Sequence, residues 1–117
     1  MEAIILITGN VKNTITLDPT LWIFDERHFE IQERFPEIEG LGMELAPFLA
    51  HAEPANDAER VTLHQKDGGL IHLTLAETQQ AILQFAHHGK PISKEGPALF
   101  HFHDSKSIGS VTKIEVK

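Results

Sequence analysis

The chain contains no cysteine. Disulfides, thiolate nucleophiles, iron–sulfur clusters and cysteine-bound zinc are therefore excluded, and any chemistry must come from histidine, carboxylates or the backbone. A basic patch is also lacking. Ten Lys and Arg against 17 Asp and Glu leave a net charge of −7 with His neutral, whereas affinity for phosphate rests on clustered cations. Nucleic acid and anionic membranes are excluded as partners on that ground. No long apolar run is present either. Met1 to Thr8 is apolar, but it has no basic leader and is too short for a signal peptide or a membrane span, so it reads as a buried strand of a cytoplasmic protein.

What remains is ordinary globular composition. The 117 residues are 41% hydrophobic and 23% charged, enough to bury a core without metal or disulfide staples. No repeat or low-complexity tract divides the chain, so residues 1–117 read as one domain. Eight histidines offset the acidity as they protonate near pH 6, which ties association to pH.

Periodicity gives an α+β fold, a mostly antiparallel β-sheet with one well-defined helix. Residues 3–8 form a continuous β-branched run stopped by Gly9-Asn10, which reads as a strand buried on both faces, and Ile15 and Leu17 alternate with Thr14 and Thr16 in a second strand ended by Asp18-Pro19. Trp22, Ile23 and Phe24 supply bulk for the core. Between Trp22–Phe24 and His28–Ile31 either a small hairpin or a helical turn fits. Residues 32–42, broken by Pro36, Gly40 and Gly42, read mostly as loop. A short helix starts near Ala46, because Pro47 is tolerated only in a first turn.

Val61 to Leu75 has the pattern of a hairpin around Asp67-Gly68-Gly69. That three-residue loop sets Leu63 opposite Leu73, Val61 opposite Leu75, and His64 opposite His72. Thr74-Leu75-Ala76-Glu77 matches a capping box, with threonine accepting from an orphan amide and Glu77 reaching back to the cap. Leu75, Thr78, Ile82, Phe85 and Ala86 then recur at helical spacing. The helix is predicted over about 75–88, with Gly89 as its terminator and His87 and His88 facing its last carbonyls. Beyond it, Ala98, Phe100 and Phe102 alternate with Leu99, His101 and His103 in a half-buried strand, and Val111–Val116 forms the last one.

Several stretches resemble small bacterial proteins often labelled peptidyl-prolyl isomerases. They are Ile7-Thr8-Gly9 through Leu17-Asp18-Pro19, Trp22-Ile23-Phe24-Asp25, Ala46-Pro47-Phe48-Leu49 with Ala52-Glu53-Pro54, and Gly89-Lys90-Pro91 with Glu95-Gly96-Pro97. The resemblance implies isomerase activity by association, without the motifs of cyclophilins, FK506-binding proteins or parvulins. A second set is similar to the molybdopterin-binding domain of sulfite-oxidase-like oxidoreductases: Thr74-Leu75-Ala76-Glu77, Gly89-Lys90-Pro91-Ile92 with Gly96-Pro97, and Val111–Val116. Those enzymes ligate molybdenum through a cysteine, which this chain lacks. The second resemblance therefore implies a reduced scaffold without the redox site.

The histidines carry the candidate chemistry. His101 and His103 sit two apart on one strand, a spacing that supplies two ligands to Zn²⁺ or Ni²⁺. Two ligands do not make a site, and a polar face turned to water opposite Phe100 and Phe102 is the preferred reading, because alternation alone predicts it. If His64 and His72 lay on a neighbouring strand, four imidazoles would converge. Asp104 beside the pair is placed to fix a tautomer for acid–base work. Ser105, Ser107 and Ser110 lie nearby, yet none sits in a nucleophile elbow. The candidate ligand-binding set is thus His64, His72, His101, His103 and Asp104, with no catalytic residue, metal or cofactor assigned. Three functions compete. A non-catalytic binding or interaction module, meeting a protein partner or itself through the edge strand with His101 and His103, is preferred over a peptidyl-prolyl isomerase and over a histidine-based divalent-metal-binding protein.

Overall fold

Two sheets share one hydrophobic core. The computed structural model describes residues 4–92, 95–102 and 106–117. The first sheet has the order β2-β1-β11-β5-β6, made of β1 (Ile5–Gly9), β2 (Ile15–Leu17), β5 (Arg60–Gln65), β6 (Leu70–Thr74) and β11 (Val111–Val116). β1 and β11 are parallel neighbours, and the other pairings are antiparallel. The second sheet has the order β10-β9-β7-β4-β3. Its strands are β3 (Phe29–Glu30), β4 (Leu41–Glu44), β7 (Ile82–His87), β9 (Leu99–His101) and β10 (Ser107–Ile108), and β8 (Lys90–Pro91) pairs with β7. A mostly antiparallel α+β architecture follows, as the period-two patterning predicts.

Register explains the core. Ile15, Ile7, Ile114, Leu63 and Ile71 occupy consecutive partner positions across the first sheet, and the central three are fully buried. From the second sheet Met43, Leu83, Phe85, Phe100 and Ile108 join the same cluster. Each such side chain contributes about 1.5–3 kcal/mol by leaving water. β11 departs from strict alternation because its pairing with β5 shifts between Val111 and Lys113. That bulge absorbs Thr112, so Val111 and Ile114, three apart, both face the core.

The predicted helix over 75–88 is corrected. The capping box is present, with the Thr74 hydroxyl accepting from the Glu77 amide and the Glu77 carboxylate accepting from the Thr74 amide. The helix it starts, α2 (Leu75–Gln79), makes little more than one turn. From Ile82 to His87 the chain is a strand, buried through Ala86. A short continuous apolar run fits a doubly covered strand as well as a buried helix, and helical spacing alone does not separate the two. Here pairing decides: β7 lies between β4 and β9. His87 and His88 consequently leave a strand, with His88 and Gly89 forming the two-residue loop between β7 and β8.

Two smaller expectations change as well. The hairpin loop is Lys66-Asp67-Gly68, closed by Gln65 and Gly69 through the Gln65 amide and the Gly69 carbonyl. Gly68, at φ 90°, takes the left-handed place that ends a three-residue loop. Val61 therefore faces Leu73, Leu63 faces Ile71, and His64 faces Leu70 instead of His72. A shift of two residues keeps the inward face inward. Pro19–Phe24 folds as a 3-10 helix, and Phe29–Glu30 pairs with β4, so the small hairpin between Trp22–Phe24 and His28–Ile31 does not form. Only Trp22 enters the core there; Ile23 and Phe24 are exposed. The helix α1 (Ala46–Ala52) begins where Pro47 requires.

Gly9 and Gly68 differ instructively. Both have positive φ, but a Cβ at Gly9 would strike the carbonyl of Val116, whereas nothing lies within 4 Å of one at Gly68. Gly68→Ala should cost about 1–2 kcal/mol from left-handed strain alone. Gly9→Ala should cost clearly more, because the β1–β11 pair must also separate. Urea unfolding of the two variants beside the parent measures the difference.

Candidate functional site

His101 lies at the centre of a polar network that runs from buried Gln84 to Ser107, which is exposed. β7 supplies Gln84, β9 supplies His101 and β10 supplies Ser107. The amide nitrogen of Gln84 donates to the carbonyls of Glu39 at 2.9 Å and Ala86 at 3.2 Å. Its amide orientation is thereby fixed, which leaves Oε1 to accept from His101 Nε2 at 2.7 Å. The remaining ring nitrogen, Nδ1, accepts from the Ser107 hydroxyl at 2.8 Å. One neutral tautomer with its proton on Nε2 satisfies every contact.

Burial of His101 corrects the expectation that the imidazoles beside Phe100 and Phe102 face water. The segment from Ile31 to Gly40 returns across the outer face of the second sheet. A Cβ on Gly42 would lie within about 3 Å of both Ile31 and Ile82. Gln84 is 4% and His101 9% exposed, so the segment that reads as loop supplies a cover. β9 is not an edge strand either, since β10 pairs with it. Strand-edge association through His101 is ruled out.

The chemistry of the network is restrained. Ser107, His101 and Gln84 lie in the order nucleophile, base and orienting group. An amide stands where a carboxylate would stabilise the imidazolium, and burial lowers the His101 pKa from 6.5, opposed in part by the charge of Glu95. A base that resists protonation serves structure better than proton transfer. Sequence reading missed Gln84, whose signal is a lone amide within the apolar run 81–86.

The other candidates do not converge. His64 Nε2 meets the Glu115 carboxylate at 2.8 Å, and that hydrogen bond is the chief reason the Glu115 pKa is lowered. His72 Nδ1 lies 3.1 Å from the Thr62 hydroxyl. It lines an open groove of about 590 Å³ with Arg60, Thr74, Glu77 and Lys117. Both residues belong to the first sheet and His101 to the second, so the neighbouring-strand condition for four imidazoles to converge is not met by the three that are described. His103 and Asp104 lie outside the described residues.

A different surface emerges at the first 3-10 helix. Asp18 caps it by accepting from the Thr20 amide at 3.1 Å. Trp22 anchors it, stacked on Phe48 at 5.4 Å and edge-on to Phe85 at 5.7 Å. Arg27 then clamps Asp25 through a 2.8 Å ion pair. Hydrogen bonds from Arg27 hold the Asp25 pKa at about 2. Between the anchor and the clamp, Leu21, Ile23 and Phe24 stand 59%, 47% and 82% exposed. This is an apolar ridge on a fixed base.

The fold has a known counterpart. The chain is similar to the sulfane dehydrogenase SoxCD from Paracoccus pantotrophus, with a TM-score of 0.69 and 13% identity over 97% of this chain. It spans 37% of that longer chain. At this identity the likeness is one of fold. No family model and no curated protein matches the sequence, and none of these findings points to a peptidyl-prolyl isomerase. Among the described residues, no helix is long and apolar enough to cross a membrane.

The neutral state of His101 sets a pH dependence. Below its ordinary value of 6.5 the unfolded chain takes up a proton that the folded chain resists. Its contribution to stability is therefore full above that pH and declines as pH falls toward the lowered folded value. Urea midpoints should fall between about pH 7.5 and 5.5, and His101→Gln should fall less over the same interval. Equal slopes for the two proteins would assign the effect to other groups.

Proposed function

We propose that the chain is a non-catalytic protein-interaction module, built on a scaffold of the kind found in sulfite-oxidase-like molybdopterin-binding domains and without their redox site. Support for the scaffold comes from two directions. One is the likeness to a part of SoxCD. The other is the position of the resembling residues: Thr74–Glu77 opens α2, Gly89–Ile92 runs from the β7–β8 loop through β8, and Val111–Val116 is β11. A molybdenum-ligating thiolate has no residue to supply it, so no reaction is derived through that group.

The exposed ridge carries the interaction reading. Leu21, Ile23 and Phe24 lie within four positions of a capped and clamped helix. A single exposed leucine would need no explanation, but clustered large side chains on a fixed base mark contact surfaces. Packing of Trp22 and Phe48 into each other also argues against an open aromatic groove for a proline ring. A partner with an apolar pocket fits such a ridge, and because Arg27 is already paired with Asp25, the acidic Asp18 and Glu26 that flank the ridge favour a partner with a cationic rim.

Phe24→Ser should leave stability within about 0.5 kcal/mol, since the ring is solvated, and should abolish partner capture. A photo-crosslinking residue at position 24 should trap a specific protein or a second copy of this chain, while one at exposed Lys12 should not. Equal crosslinking at both positions, or capture unchanged by Phe24→Ser in a probe placed at Leu21, would defeat the proposal.

A further inference from the structure

The loop between β7 and β8 brings together three groups that sequence reading left apart. His87 Nε2 lies 4.0 Å and His88 Nε2 3.3 Å from the same carboxylate oxygen of Glu39. One ligand atom from each residue falls within 4.8 Å of the other two. The imidazole centroids are 4.0 Å apart. All three side chains are about half exposed or more, at 50%, 69% and 54%.

We infer that Glu39, His87 and His88 form a divalent transition-metal site, with Zn²⁺ as its best-fitting ion. This inference is independent of the ridge. Ligands about 2.0–2.1 Å from a tetrahedral centre are separated by roughly 3.3–3.4 Å. The Glu39–His88 pair already has that spacing at 3.3 Å. The Glu39–His87 distance is wider, at 4.0 Å, and the two imidazole ligand atoms lie within 4.8 Å of each other, gaps that rotation of exposed side chains closes. Two imidazoles and one carboxylate suit zinc, and they leave a fourth position open. Room for water or a small anion there is offered by a groove of about 320 Å³, lined by Glu30, Gln32, Glu39 and His88.

Backbone geometry explains why these groups meet. Adjacent strand residues normally point to opposite faces. His88 escapes that rule by leaving the strand at φ 51°, followed by Gly89 at φ 75°, the pair of positive angles of a type I′ hairpin loop. The turn swings the second imidazole toward the first. Glu39 is held from beneath by Gln84, whose amide donates to the carbonyls of both Glu39 and Ala86. One buried side chain thus links the carboxylate segment to the residue before His87. The acid-rich chain, at −7 overall, also favours cation approach.

Calorimetric titration of the tag-free protein with Zn²⁺, together with visible spectra of the Co²⁺ form, tests the site. One ion per chain should bind with a dissociation constant near a micromolar, and Co²⁺ should give the strong bands of low coordination. His88→Gly suits the positive φ and removes one ligand. It, Glu39→Gln and His87→Gln should each weaken binding by at least about tenfold, the lower bound seen when metal surroundings are disturbed. His51→Gln, an exposed histidine elsewhere, should leave it unchanged. Circular dichroism of each variant confirms retained folding. No Zn²⁺ uptake by the parent at millimolar free ion, or full uptake by the His87→Gln/His88→Gly double variant, overturns the inference.

Discussion

Placing an amide inside β7 constrains much of the second sheet. A buried carboxamide left without partners costs about 1–3 kcal/mol per unmet group, and Gln84 meets that demand with three contacts from three segments. Its nitrogen takes the Glu39 and Ala86 carbonyls, and its oxygen takes His101. The covering segment, the strand end and the neighbouring strand are thereby held in one register. Gly40 is part of the same arrangement. At φ 137°, it passes so close that a Cβ would strike both the Ala86 carbonyl and the Gln84 amide. Of the apparent loop over 32–42, residues 41 and 42 belong to β4 and the segment before them is a fitted cover, while Gly40 and Gly42 mark close approach instead of freedom.

The first sheet was largely legible because β-branched runs, alternation in the hairpin and turn chemistry all mark its strands. Val61 and Leu63 point inward as their spacing predicts, whereas residues 3–8, read as buried on both faces, bury Ile5 and Ile7 on one face and leave Leu6 and Thr8 half-buried on the other. Errors arose where two physical signals overlap. Asp67-Gly68-Gly69 offers two glycines, and only the first has positive φ, so the loop moved by one residue and the pairing by two. At Thr74 the cap was real, but a start signal does not fix an end. Ile82 to Ala86 were then claimed by the covered interior of the second sheet, a tertiary effect that local periodicity cannot register.

Histidine shows the same limit at the level of chemistry. One residue type serves four different purposes here, set by neighbours that lie far away in sequence. His64 finds Glu115 across the β5–β11 pair, and His72 finds Thr62 across the hairpin. His101 is held between buried Gln84 and exposed Ser107. His87 and His88 are turned together at a loop. The pairing of His101 with His103 drew attention because two-residue spacing is visible in a string. The meeting of Glu39 with His87 and His88 was hidden, since it depends on a hairpin at residues first read as helix.

Function on such a scaffold follows from what the side chains leave available. The interior offers little: its buried imidazole is neutral, its amide is saturated, and the exposed serine at its edge already donates a hydrogen bond to that imidazole. Two exterior features retain unspent interaction capacity, the apolar ridge on the first 3-10 helix and the imidazole–carboxylate group at the β7–β8 loop. They draw on different physics, removal of apolar surface from water in one case and Lewis basicity in the other. Both are held by buried anchors, Trp22 beneath the ridge and Gln84 beneath the loop. An exposed group is useful for recognition only when its position is fixed before the ligand arrives, because ordering it afterwards subtracts from affinity. The core of this small domain therefore acts on function indirectly, by presenting two surface groups in geometries that solvent alone would not maintain.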